Sequence, residues 1–502
     1  MRSQAGETQR ESRVGPEPWT PSLVVRKALQ SVVALGARQA LGYALNGIGI
    51  ALLARLLTPS EFGLYAIITF ALSFLTSFGD AGLGASLIRE PGEPAEKDYR
   101  SIFTVQQMLV VAVVALFWLA SPSVALAYHL PDKGAWLFRL AALSLLVTSF
   151  QVIPQIRLER RLAFDKLALV EVGMAFVYNS TAVILAWRGW GAMSFALAMV
   201  ARSAAGVLLV NLVGPWRIGW AWDWTRVRQH LRFGVPYQGI AFVSLVKDSI
   251  APVFVGLMLG ASQVGYINWA STVAVYPVVV LAALQRIYLP AYSRMQEHRE
   301  ELGRLVEQTL RATHGVAAPL AVLTFVLIEP ITHVVFGDKW LVALPLFYFF
   351  WIPNIFSPTS APLMALLNAL GRSRTTFSFA LLWMLGTWAL GVPLILLLGA
   401  RGYAMACAAV SFTTILLFKV AQAQVSFRAL APIVPIWAWA GVMGVGAYLF
   451  KRALPPTGLI GLAGHVGLDL AAYAVGLAII YPGTARKTWV WIRGEVWNPA
   501  SR

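Results

Sequence analysis

The sequence predicts an all-α polytopic membrane protein of about fourteen transmembrane helices, arranged as two parallel six-helix lobes followed by two additional C-terminal helices. Composition is the first observation behind this: 58% of the 502 residues are hydrophobic and 13% are charged. Apolar runs repeatedly exceed the roughly 18–20 residues that cross a hydrocarbon core. The second is a repeat. Leu57-Thr58-Pro59-Ser60-Glu61-Phe62-Gly63 joins two long apolar runs, and Leu259-Gly260-Ala261-Ser262-Gln263-Val264-Gly265 joins two more, 202 residues further on. Six helices separate the copies, an even number, so the lobes share one orientation and an axis along the membrane normal. The third is the distribution of basic residues. With both termini cytoplasmic, most of the forty lysines and arginines lie in the N-terminal tail and in loops of that side, as the positive-inside rule requires. Lys451 and Arg452 oppose the pattern and leave the orientation of the last helix pair open.

Residues 1–27 are polar, carry Pro16, Pro18 and Pro21, and lack the apolar core of a cleaved signal peptide, so they read as a cytoplasmic tail. Apolar runs then predict helices over 28–56, 62–88, 101–128, 134–156, 163–187 and 190–213, which make the first lobe (28–213). An interlobe linker follows over 214–232. It places Trp216, Trp220, Trp222 and Trp224 beside Arg217, Arg226 and Arg228, a mixture suited to anionic lipid headgroups at the cytoplasmic surface. The second lobe (233–424) comprises predicted helices 233–259, 263–289, 310–335, 341–369, 374–399 and 402–424. Between its second and third helices, Leu302, Leu305 and Val306 recur at helical spacing among charges, predicting a surface amphipathic helix over 294–309. The additional pair covers 432–450 and 458–481 within 425–481, and 482–502 form a cytoplasmic tail.

A net charge of +17 could serve nucleic acid, but no soluble segment is long enough to present a basic face, so no nucleic-acid partner is expected. The single cysteine, Cys407, excludes an intrachain disulfide and a cysteine metal cluster. The six histidines are scattered without ligand spacing, and there is no Walker loop, paired-histidine zinc helix or serine elbow. The chain reads as a transporter rather than an enzyme, without cofactor or metal.

Three bases, Arg38, Arg202 and Lys247, lie deep in apolar runs. A charge at mid-membrane costs at least about 2.5–3.5 kcal/mol, so such residues face a wet cavity or a partner. A cationic cavity implies an anionic cargo. Arg38, Gln39 and Asn46 form a polar stripe on the first helix; Arg38 either lines the cavity or pairs with Asp80. Lys247 and Asp248 are roughly 100° apart around their helix and are expected to face different neighbours, one the cargo and the other a structural or gating partner. Arg202 either meets cargo or pairs with Glu171, Arg286 either receives a diphosphate near the cytoplasmic end or snorkels, and Arg55 snorkels at the outer end. Asp80, Glu171, Asp248 and His314 are the groups able to carry protons in coupled export. The aromatic run Phe347-Tyr348-Phe349-Phe350-Trp351 reads as packing, and Asn179-Ser180-Thr181 as a chance glycosylation match inside a span.

Several stretches resemble one family when taken in order: 56–65 (Leu56-Leu57-Thr58-Pro59-Ser60-Glu61-Phe62-Gly63-Leu64-Tyr65), Leu158-Glu159-Arg160-Arg161-Leu162-Ala163-Phe164 and Leu231-Arg232-Phe233-Gly234-Val235-Pro236. Asp248, Gly256, Gly260 and Val264-Gly265-Tyr266-Ile267-Asn268-Trp269-Ala270 continue the series, with Leu289-Pro290-Ala291-Tyr292-Ser293-Arg294, Phe336-Gly337-Asp338-Lys339-Trp340 and Leu370-Gly371-Arg372. Over nearly its whole length the chain resembles the polysaccharide-unit flippases of the multidrug, oligosaccharidyl-lipid and polysaccharide exporter superfamily. That resemblance implies a cargo of polyprenyl-diphosphate-linked oligosaccharide units for surface or exopolysaccharide, such as lipopolysaccharide. They would be moved across the bacterial inner membrane by alternating access, with proton or sodium coupling left open and polymerase machinery as a partner. Two other classes stay in play: a cation-coupled small-molecule exporter of the same superfamily, and a membrane polysaccharide polymerase or ligase. Short outward connections oppose the last.

Overall fold

The computed structural model describes residue 42 and residues 44–480 except 91, 132, 133, 162, 429 and 432. The described residues form helices joined by turns, with no strand among them. The first group is α1 (Ala44–Leu56), α2 (Pro59–Asp80), α3 (Leu83–Arg89), α4 (Glu96–Ala127), α5 (Gly134–Ser149), α6 (Val152–Arg160), α7 (Phe164–Trp187) and α8 (Met193–Val213). Next come α9 (Trp224–Asp248), which runs through a π-helical segment (Ile250–Val255) into α10 (Gly256–Leu259), then α11 (Ala261–Val279), α12 (Ala282–Arg294) and α13 (Arg299–Ile331). A π-helical turn (Thr332–Phe336) and a 3-10 turn (Asp338–Ala343) lead to α14 (Leu344–Ala369), α15 (Ser373–Leu398), α16 (Ala400–Ser411) and α17 (Thr414–Gln422). The final pair is α18 (Val434–Ala453) and α19 (Gly458–Ile480).

Helix occupies each of the fourteen predicted segments, yet among the described residues ten helices are long and apolar enough to cross a membrane, or eleven if the bent pair α5 and α6 is one span. The shortfall from fourteen has a physical reason. Gln263, Asn268, Ser271 and Thr272 dilute the hydropathy of α11, Lys451 and Arg452 end α18, and α1 is described only from Ala44.

Local chemistry sets the boundaries. Pro59 occupies the first turn of α2, the Thr58 hydroxyl accepts from the Glu61 N–H at 3.4 Å, and the Glu61 carboxylate accepts from the Thr58 N–H at 2.7 Å, a complete capping box. The predicted helix 62–88 breaks into α2 and α3 at Ala81 and Gly82, whose φ values are 47° and 71°. A β-carbon on Gly82 would lie 2.2 Å from the Gly234 carbonyl oxygen, so α9 fixes this kink from outside. Asp223 caps α9 by accepting from the Arg226 N–H, so that helix begins at Trp224 rather than at residue 233. The surface helix expected over 294–309 is also revised. From Arg299 it is continuous with the next span as α13, because Leu302, Val306 and Leu310 carry one buried stripe onto Leu363, Leu366 and Leu367 of α14.

The two groups of helices meet most extensively along α2 and α11. Gly63 and Gly265 face each other there: a β-carbon on Gly63 would sit 1.7 Å from the Ala261 carbonyl oxygen, and one on Gly265 would sit 1.8 Å from that of Pro59. Each contact becomes the other when 202 is added to or subtracted from the residue number, so the sequence repeat is a local two-fold axis through this crossing. Around it Phe62 packs edge-on to Trp340 at 5.1 Å and to Phe195 at 5.5 Å, while Trp269 stacks on Trp340 at 5.6 Å.

The pair α18 and α19 docks on α13 through Ile436, Ala440, Met443 and Ala447. There the Trp437 indole N–H donates to Nδ1 of His314 at 3.0 Å, and Nε2 lies 2.9 Å from the Thr359 hydroxyl. An Nδ1 that accepts carries no proton, so His314 is held as a neutral helix-to-helix connector, which does not suit the proton-carrying role considered for it.

A side chain at Gly63 must push two backbones apart. Gly63→Val is expected to cost about 1–3 kcal/mol through overpacking, seen as a lowered thermal midpoint of the purified protein. Gly315→Ala, on α13 where the added carbon meets open space, should leave the midpoint level or raise it.

Candidate functional site

Next to the crossing, α1, α2, the end of α9, α11, α14 and α16 enclose a cavity of about 690 Å³. From the first group Tyr65, Thr69 and Ser73 line it, four residues apart on one face of α2. Lys247, Asp248, Asn268, Ser271, Thr272 and Tyr403 line the other side. Thr69 and Ser271 are again 202 apart, so the two-fold places hydroxyls on both walls. A second space of about 330 Å³, between α2, α4, α5 and α9, is walled mainly by Ile67, Phe70, Phe74, Phe117, Phe138 and Val246, and the hydroxyls of Tyr128 and Ser249 at its edge donate to the carbonyls of Pro252 and Val246.

The sequence-predicted residues distribute unevenly. Lys247 and Asp248 both reach the cavity, and instead of facing different neighbours they pair with each other, Nζ to Oδ1 at 2.9 Å. The correction follows from side-chain length: lysine's four-carbon stem lets its ammonium fold back on the adjacent carboxylate. Asn46 lines a further space between α1 and α11 and accepts at Oδ1 from the Asn179 amide at 3.0 Å, so Asn179 serves as a tether between α1 and α7. Arg202 is exposed on α8, its guanidinium 6.0 Å from the Tyr178 ring, and no ion pair joins it to Glu171, which is exposed on α7. Asp80 ends α2 and accepts from the Gly84 N–H at 3.3 Å, satisfying one free donor in the first turn of α3. Arg38 and Gln39 lie outside the described residues, and Arg286 is placed on α12 with its side chain outside them. Of the aromatic run on α14, Phe347 is buried and the Trp351 indole donates to the Ala321 carbonyl, as packing predicts, but Phe350 reaches the cavity.

The hydroxyls of α2 and α11 escaped the sequence reading. Serine and threonine barely lower hydropathy, and only the repeat offset, applied residue by residue, would have aligned Thr69 with Ser271.

Each end of the cavity carries a polar lock. At one end Arg55 donates through Nε to the Val335 carbonyl at 2.9 Å and through Nη2 to that of Val334, rather than snorkelling. In return the Lys339 ammonium donates to the carbonyls of Arg55 at 2.9 Å and Leu57 at 2.6 Å, and the Trp340 indole to that of Ala54 at 3.0 Å. One cation, Lys339, and one indole thus cap the carbonyl-rich end of α1 from the second group of helices. At the other end α3 meets α9: the Ser86 hydroxyl lies 2.9 Å from His230 Nδ1, Nε2 lies 3.5 Å from Glu90, and Arg226 bridges Glu90 and Asp98 at 3.5 and 3.6 Å. Arg160 ties the loop after α3 by donating to the carbonyls of Ile88 and Glu90, both at 3.1 Å.

A helical membrane bundle of two groups that cross about a local two-fold, with a polar cavity between them and a lock at each end, has the architecture of an alternating-access transporter. Residues 52–345, more than half of the chain, match the family described as polysaccharide biosynthesis protein. The chain belongs to that family. It is 26% identical over 352 residues to the succinoglycan biosynthesis transport protein ExoT of Rhizobium meliloti (strain 1021), covering 69% of this chain and 70% of that one. It is 23% identical over 379 residues to the lipopolysaccharide biosynthesis protein WzxC of Escherichia coli (strain K12), covering 74% and 72%. Its fold is similar to that of the lipid II flippase MurJ in an inward closed conformation, with a TM-score of 0.75 at 14% identity over 90% of this chain and 99% of that one. It is also similar to an inward-facing multidrug resistance transporter of the MATE family, with a TM-score of 0.58 at 14% identity over 77% and 94%.

Two outcomes follow for the locks. Hydrogen bonds from a charged donor contribute about 1.5–3 kcal/mol each, so Lys339→Met should free the end of α1. In a Cys407→Ala background, alkylation of a Leu57→Cys thiol, buried in the closed arrangement, should then accelerate at least about tenfold. At the opposite lock, burial holds His230 below the ordinary imidazole value of 6.5, against the pull of Glu90 and Asp98 and with the help of Arg226. A group depressed in the folded state resists protonation, so the α3–α9 contact is at full strength above that value and weakens below it. Amide exchange over residues 83–89, corrected for its intrinsic pH dependence, should rise from about pH 7.5 to about pH 5.5, and His230→Gln should flatten the change.

Proposed function

We propose that this protein flips polyprenyl-diphosphate-linked oligosaccharide units across the bacterial inner membrane for surface or exopolysaccharide assembly. The observation that carries the reading is the pairing of a hydroxyl-lined cavity bearing Lys247 with a predominantly apolar slot on the other side of α9. An amphipathic cargo needs both: an apolar bed for its chain, and donors for its diphosphate and sugars. Membership of the polysaccharide family and the likeness to ExoT and WzxC support the same cargo.

In this mechanism Lys247 exchanges partners. Its three N–H donors leave Asp248 and turn to the diphosphate, a pairing that a low-dielectric cavity strengthens. Asp248 is left beside two phosphate charges and takes up a proton or sodium ion, which couples the cargo to an ion gradient. Asp80 and Glu171 are secondary coupling candidates, and Arg38, Arg202 and Arg286 complete the basic path. Transport follows as the two locks open in turn, the Arg55–Lys339 end facing outward and the His230 end, with both termini, facing the cytoplasm. Trp220, Trp222 and Trp224, all exposed after the first lobe, meet anionic headgroups. The polymerase that consumes the units is the expected downstream partner.

A cation-coupled exporter of small cationic molecules is the second reading, and it requires a free carboxylate in the cavity. Asp248 is neutralised by Lys247 at 2.9 Å, which favours the anionic cargo.

Deleting the protein is expected to trap the lipid-linked unit in the inner leaflet and to halt polymer; normal polymer export without such accumulation would contradict the proposal. Lys247→Ala should lower export about 10-fold or more at unchanged membrane abundance, since a charge-assisted bond is worth about 1.5–3 kcal/mol, whereas Lys247→Arg should retain part of it. Immunoblotting beside polymer assay separates this from misfolding.

A further inference from the structure

Beyond Lys247 and Asp248 the cavity continues into a chamber of about 310 Å³ wholly within the second lobe, between α14, α15 and α16. Its contrast with the apolar slot across α9 is chemical. Asn354, Ser357 and Ser360 on α14, Thr387 on α15 and Ser411 on α16 point polar groups into it, and Phe356, Trp383 and Tyr403 supply flat aromatic walls.

The hydrogens of these groups are largely committed. Thr387 donates to the Trp383 carbonyl at 2.6 Å, Ser411 to that of Ala408 at 2.6 Å, and the Asn354 amide to that of Phe350 at 2.9 Å. The Trp383 indole donates to the Thr413 hydroxyl at 2.8 Å. What remains to a ligand is mainly lone pairs, on the Asn354 amide oxygen, the hydroxyl oxygens and, at the mouth, the Asp248 carboxylate, with the Ser357 hydroxyl and the second Asn354 N–H as donors. Pro358 adds to this by denying the Asn354 carbonyl its helical donor four residues on. A chamber with more acceptors than donors between aromatic faces fits a ligand rich in hydroxyls with apolar C–H faces, which is the chemistry of a pyranose ring. A bare alkali cation fits less well, because the chamber is far larger than an ion and its carboxylate already holds the Lys247 ammonium.

We propose that this chamber is the subsite for the sugar attached directly to the diphosphate, a neutral hydroxyl-rich hexose, with Lys247 at its mouth bridging to the phosphates. The assignment rests on the flippase reading above. It makes the protein selective for the first sugar of the unit rather than for the distal ones, since the chamber adjoins the main cavity at Lys247, where the diphosphate is held.

Single-cysteine reporters in a Cys407→Ala background test it in purified, lipid-reconstituted protein. Ser357→Cys reports the chamber, and Thr69→Cys, which lines the main cavity but not the chamber, reports the cavity. The probes are a short-chain polyprenyl diphosphate bearing one hexose, the same lipid diphosphate without sugar, and sodium chloride alone. At about ten times its dissociation constant the glycosylated lipid should slow alkylation at both reporters about tenfold, and the sugarless lipid at Thr69→Cys only. Protection of Thr69→Cys by both lipids with Ser357→Cys untouched would overturn the sugar subsite and leave the flippase reading standing. Protection of Ser357→Cys by sodium alone would make the chamber a cation site and overturn the proposal. Failure of both lipids at both reporters would remove the flippase reading itself.

Discussion

The backbone contact between Gly63 and Gly265 sets the distance between the two halves of this molecule, and the rest of the structure is arranged around it. With hydrogen as the only side chain on both helices, α2 and α11 approach until a carbonyl of each occupies the place of the other's absent β-carbon. Such proximity has consequences along both helices. It brings the capping box of α2 against the start of α11, seats Phe62 against Trp340, and orients Thr69 and Ser271 toward one shared cavity. A larger residue at either glycine would widen the interface, and water or lipid would enter where the aromatic cluster now seals it.

The motif stretches that suggested a family acquire a common physical meaning once placed in space. Pro59 and Gly63 meet Ala261 and Gly265; Gly234 meets Gly82; Lys339 and Trp340 cap α1; Arg160 caps the loop after α3. Each marks a point where one helix touches the exposed backbone of another. Backbone contact tolerates little change in side-chain size or donor geometry, while lipid-facing positions tolerate much, so recognisable sequence concentrates at these joints.

Helices were legible because a bilayer demands long apolar runs, and the repeat was legible because both copies sit at tight interhelical turns that constrain residue type. The kink at Ala81 was hidden, since its cause, Gly234, is distant in sequence. The site was half legible. Lys247 and Asp248 stood out by charge, but their mutual pairing depends on rotamers, and of the two roles open to Arg202 the pair with Glu171 is absent, its guanidinium lying near the Tyr178 ring instead. The continuity of α13 was missed because the charges around Arg299 set that stretch apart as a separate surface helix, while the buried stripe beneath them already ran in phase with the next span.

The central claim is that the α2–α11 crossing is the joint about which transport occurs, so the Arg55–Lys339 end must separate during each cycle. Leu56 and Val342 lie on opposite sides of that end and both are exposed. Pulsed electron spin resonance between nitroxides at Leu56→Cys and Val342→Cys, in a Cys407→Ala background of demonstrated activity, measures their separation. Adding a polyprenyl-diphosphate-linked sugar should shift population from one short distance to a second, longer one. A single unchanged distance in protein that still transports its cargo would contradict the account.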